Sequence, residues 1–271
     1  MKAPKNNFSN LFLLKIFILL VGALILISLV GKGMTLFLNR SFNESSFTLL
    51  VKASNGTRII YLDREFKSIN IFSVPDMQAD DNSTLKNSLN FMIPIDGIIT
   101  IKNSDSEENL FSAGYLLRLM MDRDVRLSGL NNFDLVQIYF FAKSVRYSDI
   151  IFTTIKKQVF ENGEGSDLRF DSIKNENIIN EKKDIEIYNA TEIDGFGGKV
   201  AQMLKNGGFN VILTKSKERS STSKILFKGD KSKTLERLEK IFSIVAQKEN
   251  GNSIADITLI IGDDIGHKIG N

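Results

Sequence analysis

The chain of 271 residues contains no cysteine and no tryptophan, and has only one histidine and three prolines. Without cysteine there is no disulfide staple, no thiolate nucleophile and no sulfur-liganded metal site. The sole imidazole, His267, lies in the closing stretch "DDIGHKIGN", and chain ends are usually solvated and tolerant of change. Triads built on Ser-His-Asp or Cys-His are therefore not expected. Any chemistry has to come from carboxylates, Arg, Lys, hydroxyls or a hard metal ion. An excess of one charge is also missing: 35 Lys and Arg stand against 32 Asp and Glu, a net charge of +3. The two signs are interspersed, so there is no concentrated basic face of the kind that phosphate-backbone binding needs, and nucleic acid is not an expected partner.

Apolar residues are plentiful, at 42% of the chain, enough to build a core in each of two modest domains. The longest run, "LFLLKIFILLVGALILISLVG" over residues 11–31, carries one charge, Lys15, near its start. At 1.5 Å rise per residue it matches a hydrocarbon core of about 30 Å. Lys15 sits where a lysine can snorkel back to the headgroups. A cleaved signal peptide has an apolar region of about 7–15 residues followed by small residues at the cut. Here residues 16–31 are uninterrupted and "KGMTLFLNR" follows with no A-x-A pattern, so the expectation is an uncleaved single-pass anchor. Lys2, Lys5 and Lys15 precede or open the run, whereas only Lys32 and Arg40 follow it closely. The positive-inside bias puts the amino terminus in the cytoplasm and everything after about residue 40 outside, with the lipid bilayer as partner.

Beyond the anchor, "SFTLLVKASNGTRIIYLDREFKSINIFSVP" reads as three strands, the first two joined at Asn55-Gly56, a strong hairpin signal. "DMQADDNST" is an acidic loop, "LKNSLNFM" a short helix and "IDGIITIK" a buried strand. "SEENLFSAGYLLRLMMDR" and "NNFDLVQIYFFAKSVR" have helical spacing, the second with Asn131 or Asn132 as cap and Phe133, Val136, Phe140 and Phe141 on one face. "DIIFTTI" closes the region. The polar, aperiodic stretch over residues 159–183 reads as a linker. The last part gives strand, helix, two strands, helix and strand, a βαββαβ order in which both helices cover one face. The expected fold class is α/β, with an N-terminal transmembrane helix (residues 1–40 with its cytoplasmic stub), a short mixed α/β domain (45–158), a linker (159–183) and a small βαββαβ C-terminal domain (184–265).

"NATEIDGFGGKVAQMLKNGGFNV" poses a choice between a phosphate cradle and a plain sharp turn. A P-loop needs G-x-x-x-x-G-K followed by Ser or Thr. Gly198-Lys199 is followed by Val200, and Ile193 stands five positions before Gly198. The dinucleotide fingerprint also fails, because its third glycine position holds Val200. The expectation is structural: Asp194 or Thr191 caps the helix, the glycines permit close approach, and Gly207-Gly208 ends it.

The same segment resembles the LytR C-terminal domain, whose members often read N-G-T where this chain has Asn189-Ala190-Thr191; Gly195 falls in the glycine-containing turn of that pattern. The resemblance implies an extracytoplasmic module without established catalytic chemistry. More faintly, "RIIYLDREFKSINIFSVPD" and "FMIPIDGIITIK" are similar to the strands of LytR-CpsA-Psr enzymes, which read S-I-P-R-D and G-I-P-V-D-G-Y. Those enzymes transfer polyprenyl-pyrophosphate-linked glycopolymers to the cell wall with arginines, acidic residues and Mg2+. Here Asp76 directly follows Pro75, so the arginine expected between them is missing. Loss of a bidentate guanidinium is not conservative for a polyanion. The resemblance therefore implies a degenerate relative, a binding or scaffolding component of cell-envelope assembly. No residue is assigned as catalytic, and neither a metal site nor a cofactor is expected. Asp76, Arg123 and Arg126 remain candidates for holding a pyrophosphate or ion. The alternative is an active phosphotransferase using Mg2+. Partners beyond the bilayer are a cell-wall glycopolymer or envelope proteins.

Overall fold

The computed structural model describes residues 7–38, 42, 45–54, 56–74, 77–80, 82–101, 121–155, 173–249 and 253–270. The chain divides into two units, Met1–Arg40 and Ser41–Asn271. In the first, α1 (Asn7–Leu38) is apolar on every side, and from Lys15 to Lys32 its mean hydropathy is 2.3. By length and composition it can cross a membrane.

The second unit holds two mixed sheets. The first has the order β5-β4-β1-β2-β3-β6, formed by β1 (Ser46–Ala53), β2 (Gly56–Asp63), β3 (Ser68–Val74), β4 (Gly97–Ile101), β5 (Val125–Ser128) and β6 (Ile150–Thr154). β1 runs antiparallel to β2 and parallel to β4, and β3 runs parallel to β6. Alternate side chains serve two cores. Leu49, Val51, Ile60, Leu62 and Ile99 pack under α3 (Asn132–Ser144), while Leu50, Ile59, Tyr61, Phe72 and Ile98 meet Phe91, Ile93 and Ile95 on the other face. Coverage on both faces explains why these strands read as nearly continuous apolar runs.

Helix α3 starts at a capping box. Asn131 Oδ1 accepts the Phe133 and Asp134 N–H groups, and the Asp134 carboxylate accepts the N–H of Asn131 and that of Phe42, both at 2.9 Å. The face it buries is only partly the expected one, since Phe141 packs beside the core while the fully buried residues are others. Leu135, Ile138 and Ala142 point inward, whereas Phe140 is 66% exposed. Apolar residues nearly encircle this helix, so spacing alone does not select the face that meets the sheet. The expected preceding helix lies outside the described residues except for its end at Met121.

The second sheet has the order β10-β9-β11-β7-β8, from β7 (Asp184–Asn189), β8 (Asn210–Ser216), β9 (Lys224–Phe227), β10 (Gln247–Lys248) and β11 (Ile257–Ile261). Its helices are α5 (Phe196–Asn206), α6 (Lys233–Phe242) and α7 (Asp263–Gly270). The expected βαββαβ order is present, with the two-residue β10 inserted before the last strand and α7 added after it. Ile185, Ile187, Ile225 and Leu259 pack with Val200, Leu204, Leu235 and Leu238 in one core.

The two sheets are docked. Short helix α2 (Thr84–Asn90), capped by Ser83, contributes Leu85 and Leu89 to the core of the second sheet. Of the stretch expected as a linker, residues 159–172 lie outside the described residues, but from Ile173 onward it is built into the structure. Ile173 belongs to a core of the first sheet and Ile178, in α4 (Glu176–Glu181), to that of the second. The Glu181 carboxylate accepts the N–H groups of Lys233 and Thr234, both at 2.8 Å, and so caps α6 together with Ser232.

Candidate functional site

The principal polar cluster lies where the sheets meet. Asp96 stands at the entrance to β4, buried, and its Oδ2 accepts the Thr48 N–H at 2.8 Å and Arg237 Nη2–H at 2.7 Å. Arg237 Nη1 pairs with Oδ1, and Lys240 Nζ lies 3.6 Å from the same oxygen. Both cations come from α6, so a carboxylate of the first sheet is held by the second. Burial works against the charge of Asp96, but the adjacent Arg237 and Lys240, with the Thr48 N–H, hold its carboxyl below the ordinary value. Close by, Asn175 Oδ1 caps α4 and also accepts from Ser45 Oγ at 3.2 Å, while the Tyr61 hydroxyl donates to the Lys174 carbonyl at 3.0 Å. Burial pushes that hydroxyl far above its ordinary pKa, so it stays a donor.

A cavity of about 260 Å³ opens beside this cluster, lined by Ser45, Asn175, Asn177, Ile178, Lys233, Glu236 and Arg237. It offers hydrogen-bonding groups around one apolar wall. Ser45 is engaged by an amide, not a base, and Arg237 is engaged by Asp96, so the arrangement suits holding a small polar group better than activating a nucleophile.

The residues singled out from sequence fall in three places. Asp76 lies outside the described residues. Arg123 is exposed in the turn before β5, and Arg126 is exposed within it. Register sets Arg126 opposite Thr100, Thr100 beside Lys52, and Lys52 opposite Thr57, one row on one face across four strands. The loop over residues 77–80 is strapped to this row: Thr57 Oγ1 donates to the Met77 carbonyl at 2.6 Å and Lys52 Nζ to that of Ala79 at 2.8 Å. Thr100 Oγ1 is buried without a hydrogen-bond partner among the described residues. Asp80, from the acidic loop, accepts the N–H groups of Asn82 and Ser83, and these bonds hold its carboxyl below the ordinary value. Among the described residues no three His, Asp or Glu side chains gather as a metal site.

In the C-terminal motif, Asn189, Thr191 and Gly195 come together as a turn. Asn189 Oδ1 accepts from the Thr191 hydroxyl at 2.7 Å and from its N–H at 3.2 Å, Asn189 Nδ2 donates to the Ile193 carbonyl at 3.0 Å, and Thr191 Oγ1 accepts the Ile193 N–H at 3.1 Å. This network occupies the polar atoms of both side chains with backbone. Neither Asp194 nor Thr191 caps α5. Gly195 holds that position with φ +72° and no side-chain cap, because Thr191 is already committed to the turn. At the far end Phe209 N–H reaches the Leu204 carbonyl and Gly208 N–H that of Lys205, a Schellman closure with Gly208 at φ +93°. Residues 183–264 match the LytR C-terminal family.

That family is described as the LytR cell envelope-related transcriptional attenuator. No curated protein matches the chain significantly. Among solved structures, a Listeria monocytogenes fragment named as belonging to a transcriptional factor is 11% identical across 84% of this chain and 93% of that chain, with a TM-score of 0.18; so low a score carries no argument about fold or activity. Sequence reading missed the Asp96–Arg237 pair outside the motif and the role of residues 173–183. Asp96 was visible only as part of a strand motif, and Arg237 as one more charge on an amphipathic helix.

Proposed function

We propose that this protein is a membrane-anchored, extracytoplasmic component of cell-envelope assembly that binds or scaffolds and does not catalyse. The observation that carries the reading is the LytR C-terminal domain at residues 183–264, in a chain whose α1 is apolar enough to cross a bilayer. The inter-sheet cluster supports binding over catalysis, since its strongest cation is committed to an internal carboxylate. A wall glycopolymer or an envelope protein is the class of partner that this location offers. The test is fractionation of cells making the full chain. The protein should resist carbonate extraction from membranes, and residues after 45 should be cleaved by protease added outside intact cells stripped of wall. Recovery in the soluble fraction refutes the anchor.

A second reading, a polyprenyl-pyrophosphate-linked glycopolymer phosphotransferase, is favoured by one observation. Lys52, whose ammonium holds the Ala79 carbonyl, and the exposed Arg126 stand in one row beside the loop that follows β3, and cations in such a row can face a diphosphate. Among the described residues no three His, Asp or Glu side chains gather around a position for Mg2+. Purified full chain given a polyprenyl pyrophosphate and Mg2+ separates the readings. Turnover that Arg126→Ala abolishes establishes the enzyme, and absence of turnover supports the scaffold.

A further inference from the structure

Helix α4 is packed on the end of α5. Asn175, which caps α4, donates its N–H to the Gly207 carbonyl at 3.3 Å, and a Cβ on Gly208 would lie 3.2 Å from both the Asn175 nitrogen and Ile179 Cγ1. A shallow depression of about 510 Å³ opens at this junction, and Lys174, Lys182 and Lys205 stand in its walls. Its floor is apolar, made by Ile178, Ile179 and Phe209. Lys182 closes α4 with φ 50°, and Lys205 lies in the last turn of α5. Both are places where a helix dipole favours a cation. The dipole accounts for each lysine singly, and the close contact of α4 with α5 brings them round one depression.

The acid in these walls is Asp184, which accepts Asn210 Nδ2–H at 2.6 Å, so the lining carries three cations to one anion. The charges just outside do not reverse that balance. Lys183 pairs with Asp256 at 3.2 Å, Glu181 turns to α6 and caps it, and Glu176 opens α4 without lining the depression. Among the described residues neither Lys182 nor Lys205 forms an ion pair.

We propose that this depression holds one repeat of a phosphodiester-linked polyol or sugar polymer, with its phosphate facing the lysines and its carbon skeleton on the apolar floor. The proposal deepens the envelope reading above and rests on it for the supply of such a polymer. Phosphate fits better than a peptide carboxylate because all three cations are lysines. An ammonium is a point charge that holds phosphate from any direction, whereas the planar fork that grips a carboxylate at two points belongs to Arg. Size favours a polymer over a free ion. A space of 510 Å³ is of the order that encloses a whole organic ligand, and Ile178 is also a wall of the 260 Å³ cavity, so a second concavity adjoins across α4.

The test is calorimetric titration of the purified full chain, in detergent, with poly(glycerol phosphate) and, separately, with polyglutamate. Poly(glycerol phosphate) should bind, more weakly as salt is added. Lys182→Gln with Lys205→Gln should weaken that binding about tenfold, the loss of two exposed ion pairs. Lys224→Gln with Lys248→Gln removes the same charge from β9 and β10, on the far side of the sheet from β8, and should weaken it by less than about twofold. All four lysines are exposed, so both variants should keep the native circular dichroism spectrum. Equal weakening by the two pairs reduces the attraction to overall charge and overturns the site. Tighter binding of polyglutamate than of poly(glycerol phosphate) overturns the polymer and assigns an acidic peptide in its place. Binding of neither probe overturns the proposal and leaves the anchor reading standing, since fractionation tests that separately.

Discussion

Replacing Asp96 tests the inter-sheet cluster most severely. Removing one member of a buried pair costs about 3–5 kcal/mol, because its partner is left charged and dry. Asp96→Ala also leaves the Thr48 N–H without its acceptor, and a stranded buried donor adds about 1–3 kcal/mol. The expected loss is thus about 5 kcal/mol, a large share of the roughly 5–15 kcal/mol that holds a domain folded. Arg237→Ala should cost less, about 3 kcal/mol, since Asp96 keeps the Thr48 N–H and Lys240 at 3.6 Å. Asp96→Leu with Arg237→Met removes both charges at once and should cost only about 1–3 kcal/mol, the price of the orphaned Thr48 amide. Urea unfolding of the full chain in detergent, followed by far-ultraviolet circular dichroism, measures all three. Asp96→Ala should also split a shared transition in two as the sheets uncouple. Single substitutions that cost under about 1 kcal/mol, the range of exposed pairs, or a double variant equal to the sum of the singles, would refute the reasoning.

Three further outcomes follow from the same contacts. A Cβ on Gly207 would lie 2.6 Å from Pro94 Cγ, and a proline ring has little room to yield, so Gly207→Ala should lower stability by about 1–3 kcal/mol in thermal unfolding. Asn189→Ala removes the hub of the turn before α5 and should cost about 1–2 kcal/mol, with hydrogen exchange rising at residues 191–195 and not in β11. The carboxyls of Asp96 and Glu181 both titrate below their ordinary range when folded; burial opposes both charges and the cations or N–H groups facing them prevail. Their contribution is therefore complete above the unfolded carboxylate pKa of about 4 and is lost as pH falls through the folded values. Melting temperature followed from pH 7 downward should hold near plateau and then drop below about pH 4, and Asp96→Asn should flatten the drop.

Much of this fold follows from local signals. Asn131 before an apolar run and Gly207-Gly208 after "VAQMLKN" mark helix ends by the hydrogen bonds their backbones need, and each occurs there. Strands buried on both faces announced themselves by unbroken runs of Ile, Leu and Val. Two features had no local signal. The buried face of α3 was ambiguous because Phe133, Leu135, Val136, Ile138 and Phe140 leave almost no polar side for contrast. The Asp96–Arg237 pair spans 141 positions, and neither residue differs in its immediate sequence from a solvated charge. Likewise, the polar composition of residues 173–183 gave no hint that Ile173 and Ile178 serve two different cores.

The docking of the sheets combines two forces of unequal selectivity. Burial of Leu85 and Leu89 in the second core is worth about 1.5–3 kcal/mol per side chain and tolerates rotation. The Asp96–Arg237 fork is satisfied at one geometry only, and its net contribution to stability is small next to a well-packed apolar substitute. The pair therefore selects the angle between the sheets, while α2 supplies the adhesion. This division can be measured because the chain has no cysteine of its own. Nitroxide labels on Ser54→Cys and Ile254→Cys, both exposed and one on each sheet domain, report the inter-domain distance distribution by double electron–electron resonance. The native pair should give one narrow distribution. In the Asp96→Leu, Arg237→Met background the chain should stay folded with the mean distance little changed, but the distribution should broaden. A distribution as narrow as the native one would assign the angle to apolar packing alone and leave the buried charges without a structural task.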